Sequence, residues 1–134
     1  MREIKFRCWD KENKEMLDVE YLHWDDCTGE FSIRTTMYSD YFDTEDMILM
    51  QYIGLKDENG KEVYEGDILE KIYTDYNDKE FFREKYLVQN NICGWELRNL
   101  KKPKSHRSFQ LLKKCKIIGN IYKNPELLEG RIRK

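Results

Sequence analysis

Leu49-Met50-Gln51-Tyr52-Ile53-Gly54-Leu55-Lys56-Asp57-Glu58-Asn59-Gly60-Lys61-Glu62-Val63-Tyr64-Glu65-Gly66-Asp67-Ile68 is the stretch on which the fold turns. It opens inside an apolar run, Met47 to Leu55, broken only by Gln51 and Gly54. A run of that length bounded by turn residues suits a well-buried strand. Lys56 to Lys61 is polar and contains Asn59-Gly60, a tight-turn pair because both residues tolerate positive φ. Glu62-Val63-Tyr64 is a short extended piece. Glu65-Gly66-Asp67 turns the chain again, and Ile68 to Tyr73 reads as the next strand. Short strands joined by tight turns are the pattern of a mainly β chain.

The same alternation extends in both directions. In residues 3–9, Ile4, Phe6 and Cys8 fall on one face, with Lys5, Arg7 and Trp9 on the other, which is the period of a half-buried strand. After a polar turn around Asn13, Leu17, Val19 and Tyr21 alternate again, and the two segments form a β-hairpin. Beyond the turn Asp25 to Glu30, a third strand carries Phe31, Ile33, Thr35 and Met37. Tyr38 to Asp46 has four acids and no periodic apolar residue, so it reads as a loop, with a short helix capped by Thr44 at its end. This is the boundary between an N-terminal β region, 1–46, and a C-terminal region, 47–134. On the far side, Thr74 to Lys79 is a turn, and residues 80–89 form a strand that sets Phe82, Tyr86 and Val88 on one side. Asn90-Asn91 returns the chain through Ile92 to Leu97. The basic loop Lys101-Lys102-Pro103-Lys104 follows, then a strand opened by Phe109, Leu111 and Lys113, and a last one from Lys116 to Tyr122. Asn124-Pro125-Glu126-Leu127-Leu128-Glu129-Gly130 is a short C-terminal helix, with Asn124 as cap, Pro125 in the first turn and Gly130 closing it.

Composition narrows the function classes. The 134 residues are 37% charged and 13% aromatic, so the chain is polar yet has the aromatics that a packed core needs. No apolar run approaches the ~18 residues of a membrane span, and the charged N-terminus has no apolar signal core. A cytoplasmic location without membrane contact is expected. The net charge of -2 conceals a polarity. Asp40 to Glu70 holds ten acidic and two basic residues, or -8, whereas Lys101 to Lys134 holds eleven basic and two acidic residues, or +9.

Chemical motifs are scarce. Cys8, Cys27, Cys93 and Cys115 form no Cys-x-x-Cys, and with only His23 and His106 beside them they lack the paired ligands of a zinc centre, so no metal is expected. The glycines have no phosphate-loop spacing. The turn at Asp57 is like part of a calcium loop, but with Gly60 in the sixth position the first falls on Leu55, which cannot ligate. Asp67 before an apolar strand is the best placed carboxylate for acid–base work, against the simpler reading that it caps its turn. His106, in a polar basic stretch, is expected to be exposed. Trp9 and Trp95 are the candidate stacking platforms beside basic residues.

The stretch Leu49 to Ile68, the opening Ile4-Lys5-Phe6-Arg7-Cys8-Trp9-Asp10 and the ending Ile118-Gly119-Asn120-Ile121-Tyr122-Lys123-Asn124-Pro125-Glu126-Leu127-Leu128 together resemble the YopX family of phage and prophage proteins. The resemblance covers both ends and the centre, and leaves residues 11–46 and 74–114 without a motif. It implies a mainly β chain whose C-terminal part, 47–134, is an SH3-type barrel, in a bacterial host cell. It carries over no catalytic residue. Gly66-Asp67 before an apolar strand agrees with such a barrel.

The resulting expectation is a non-enzymatic protein-binding module without cofactor, acting on a host or phage protein. The alternative is a nucleic-acid-associated accessory protein using the basic C-terminal segment. A small β domain with an open strand edge can also pair with its own copy. The candidate binding residues are Trp9, Tyr52, Asp57, Asp67, Trp95, Lys101, Lys102, Lys104 and Arg107.

Overall fold

The computed structural model describes residues 3–36, 41–43, 47–91 and 94–128. The chain is mainly β. The strands are β1 (Phe6–Asp10), β2 (Glu15–Trp24), β3 (Phe31–Thr35), β4 (Tyr41–Asp43), β5 (Met47–Lys56), β6 (Glu62–Tyr64), β7 (Asp67–Thr74), β8 (Glu80–Asn91), β9 (Gly94–Asn99), β10 (Ser105–His106) and β11 (Lys116–Asn120). A five-residue helix, α1 (Phe109–Lys113), precedes β11, and a 3-10 turn spans Pro125–Leu128. The chain forms two compact units, residues 1–52 and 53–134, and the division falls within β5.

In the N-terminal unit the strand order is β4-β3-β2-β1-β5, with antiparallel neighbours. Cys8 faces Leu17 on one side and Leu49 on the other. Period-two alternation therefore gathers Cys8, Leu17, Ile33 and Met47 into one core, with Val19, Leu22 and Leu49 packed against it. The first turn is built by Asp10, whose Oδ1 accepts hydrogen bonds from the Glu12 and Asn13 amides at 3.0 and 3.2 Å.

The C-terminal unit contains the end of β5 from Ile53 onward, its neighbour β6, and a sheet of order β10-β9-β8-β7-β11. Its core is Ile53, Val63, Leu69, Tyr86, Val88, Leu97, Leu112 and Cys115. Burying each large apolar side chain contributes ~1.5–3 kcal/mol. The end strands of this sheet, β10 and β11, are not hydrogen-bonded neighbours, so the sheet does not close on itself.

Several details differ from the sequence reading. Phe109–Lys113 is helical rather than extended: Ser108 caps it, its Oγ accepting from the Leu111 amide at 3.2 Å. Leu112 and Cys115, three apart, are thereby both turned into the core. Within the expected loop at 38–46, residues 41–43 form β4; Thr44 and its helix, like Met37, lie outside the described residues. Asn90 and Asn91 belong to β8, where they pair with Trp95 and Gly94 rather than turning the chain. Ile4 is 76% exposed instead of sharing the buried face of Cys8. In the 57–61 turn only Gly60 takes a positive φ, +81°. The C-terminal helix is a single 3-10 turn, and Gly130 lies outside the described residues.

Candidate functional site

The register of β7, β8 and β9 decides which side chains share a face. Leu69 faces Tyr86, Lys71 faces Glu84 and Tyr73 faces Phe82, while Tyr86 also faces Asn99 and Val88 faces Leu97. All therefore project from one side of the sheet. That side is apolar where Leu69, Val88 and Leu97 enter the core and polar where Lys71, Glu84, Tyr73 and Asn99 leave it. His106 on β10 pairs with Leu97 and joins the same face. Here lies a groove of about 370 Å³, lined by Tyr73, Glu84, Tyr86, Asn99, Lys102, Lys104, His106, Ser108 and Leu111.

Glu84 is the electrostatic centre of the groove. Its Oε2 accepts from the Tyr86 hydroxyl at 2.6 Å and from Asn99 Nδ2 at 3.0 Å. Lys102 Nζ stands 3.6 Å from Oε1. The Tyr86 hydrogen bond, helped by Lys102, holds the Glu84 carboxyl below the ordinary carboxylate range. Burial first, then the Glu84 hydrogen bond, raises the Tyr86 phenol, so it stays protonated. Tyr86 is 1% exposed and meets the His106 ring edge-on, with centroids 5.8 Å apart. Tyr73 has both ring faces covered: Phe82 stacks at 4.3 Å, and Lys71 Nζ lies 4.3 Å from the centroid.

The basic loop is set beside this groove by Asn99, whose Oδ1 accepts from the Lys101 and Lys102 amides at 2.9 and 3.0 Å. One side chain thus ties Glu84 through its nitrogen and the loop through its oxygen. The carboxylate is ionised and engaged, which is the reverse of a general acid. The nearby buried thiol, Cys115, is pushed up to about 12 by burial and donates to the Leu111 carbonyl, so it is no nucleophile near neutral pH.

A family model described as YopX protein matches residues 5–129. The chain belongs to the YopX family. Two solved structures resemble it along nearly their whole length. Protein EF1440 from Enterococcus faecalis is 28% identical, with a TM-score of 0.64, over 96% of this chain and 99% of that one. Protein yopX from Bacillus subtilis is 19% identical, also with a TM-score of 0.64, over 97% and 98% of the two chains, and that likeness is one of fold. No curated protein matches the chain.

On this YopX fold the nine residues singled out from the sequence separate. Lys102 and Lys104 line the groove, and Lys101 and Arg107 are exposed on the same loop region. Trp95 is half-buried against the C-terminal core. Trp9 is 8% exposed, and a ring so covered has no free face for a base. Tyr52 is 5% exposed, with the Lys5 ammonium 5.8 Å from its ring. Asp57 is a clamp: its Oδ1 accepts from the Asn59 and Lys61 amides, both at 2.9 Å, and its Oδ2 from the Ile117 amide of β11 at 2.9 Å. Asp67, 2% exposed, caps its turn by accepting from the Tyr64 amide at 2.8 Å.

The residues that sequence reasoning missed are Tyr73, Glu84, Tyr86, Asn99, His106 and Ser108. His106 is half-buried rather than exposed. Spacing could not bring Glu84 and Asn99 together, since only the β8–β9 register does so. The cap signal of Ser108 was available in the sequence.

The described residues contain no cluster of three or more potential metal ligands. Among them no helix is long and apolar enough to cross a membrane.

Proposed function

We propose that this YopX-family chain is a non-enzymatic protein-binding module of phage or prophage origin, acting in the bacterial cytoplasm, and that its partner contacts the groove of the C-terminal unit. The observation that carries the reading is the pairing of an engaged acceptor with reachable cations. Glu84 is held by Tyr86 and Asn99, while Lys102, which is 59% exposed, and Lys104 stand at the rim. Such a rim fits a partner with complementary negative charge. An SH3-type barrel for the C-terminal region, 47–134, belongs to the same proposal. It is supported by the short antiparallel strands and by the Gly66 turn, whose amide donates to Val88 and whose carbonyl accepts from Ile121.

The test is capture on the immobilised full chain from bacterial lysate, with nuclease in half the samples, comparing wild type with the K102E/K104E double variant. The expected result is a protein retained after nuclease and lost with the variant. Retention that disappears with nuclease supports the second reading, a nucleic-acid accessory role, which the exposure of Lys101, Lys102, Lys104 and Arg107 on one loop region favours. Equal retention by wild type and variant removes the groove from the proposal.

A further inference from the structure

The groove has donors in surplus. Glu84 Oε2 takes two hydrogen bonds, from Tyr86 and Asn99, its Oε1 faces Lys102, and Asn99 Oδ1 takes two more. The hydrogens of Lys102, Lys104 and Ser108 are less committed. The Lys104 side chain has no hydrogen bond or ion pair among the described residues. Lys102 Nζ is 3.6 Å from Glu84, longer than an ordinary hydrogen bond, so its N–H groups can turn to a ligand. Ser108 Oγ is used as an acceptor by the Leu111 amide, and its hydroxyl hydrogen remains to be donated.

From this imbalance we propose that the groove binds a phosphate monoester, with its oxygens received by Lys102, Lys104 and Ser108. The inference rests on the reading of the groove as a binding surface and names its ligand class. A tetrahedral dianion presents three terminal oxygens to three donors, and lysine serves it as a point charge. A carboxylate carries one charge, whereas a phosphate monoester carries about -1.5 to -2 and answers both lysines. The volume of about 370 Å³ lies at the small end of ligand pockets, about 300–1,000 Å³, and admits an organic body behind the phosphate. Leu111 and the edge of Tyr73 offer that body an apolar wall. The faces of Tyr73 are covered by Phe82 and Lys71, so the wall does not favour a stacked base. A phosphorylated side chain of a partner and a free small phosphate ester share the required chemistry.

Calorimetric titration of the full chain at about 50 mM salt separates these cases. The probes are O-phospho-L-serine, L-serine, a phosphoserine peptide, its unphosphorylated form and a single-stranded oligonucleotide. Saturable binding of O-phosphoserine is expected, and none of serine. K102A and K104A should each weaken it at least about tenfold, whereas K61A, outside the groove, should not. Tighter binding of the phosphopeptide identifies a partner's side chain. Equal affinity identifies a free ester, in which case this inference stands and the protein-binding reading falls. Absence of saturable binding by either phosphoester, wild-type affinity in K102A and K104A, or preferential binding of the oligonucleotide overturns the inference. Capture of a protein through the groove without phosphoester binding sinks this inference alone.

Discussion

Glu84 shows how one residue sets the character of a surface. Its carboxyl is held below its ordinary value of 4.5 chiefly by the Tyr86 hydroxyl. A group with a lowered folded pKa adds stability above its unfolded value and loses it as pH falls through the folded one. E84Q should therefore be less stable than wild type near pH ~7 by about 1–3 kcal/mol, and the gap should narrow as the pH falls below 4.5. Urea denaturation at stepped pH measures this, and a gap that stays constant into acid would refute the role of the charge. The thiols give a second residue-scale prediction. Burial pushes Cys8 up to about 11 and Cys115 up to about 12, whereas Cys27 is exposed in a turn. Alkylation of the native protein at pH ~8 should label Cys27 well before Cys8 and Cys115, read by peptide mass spectrometry. Prompt labelling of Cys115 would contradict its burial.

At the scale of elements, two turns share one design. Asp57 Oδ1 accepts from the amides of Asn59 and Lys61, and Asp75 Oδ1 accepts from those of Asn77 and Lys79, all at 2.9 Å. The fourth position is left-handed in both, held by Gly60 at φ +81° in the first and by Asp78 at φ +60° in the second. Asp78→Gly should raise stability by about 0.5–1 kcal/mol, because glycine takes that conformation without the Cβ clash. A loss of stability on thermal melting would count against the shared geometry. These turns were legible in the sequence because Asp, Asn and Gly act locally. The strands were legible for a similar reason, since alternation survives wherever one face is buried. Helix α1 was not. Phe109, Leu111 and Lys113 alternate by accident, while the deciding contacts are Leu112 and Cys115, both 0% exposed in the core. Leu112→Ala should cost about 2–5 kcal/mol, measured by denaturant unfolding. A cost near zero would show that the helix does not anchor the core.

At the scale of the whole molecule, both ends and the centre carried enough local pattern for the family to be read from the sequence. The groove could not be read in the same way. Lys102 and Lys104 were visible as charge, but Glu84, Tyr86, Asn99 and His106 meet only after β8, β9 and β10 have paired. Cross-strand register is a long-range property that no local window contains. The central claim is that this polar end of the C-terminal sheet is where the molecule meets its partner. A photo-reactive side chain placed at Lys104, compared with one at the exposed Glu20 of β2, tests it most directly. After irradiation in nuclease-treated bacterial lysate, a protein adduct from position 104 and none from position 20 is the predicted result. An adduct from position 20 with none from position 104 would contradict the account.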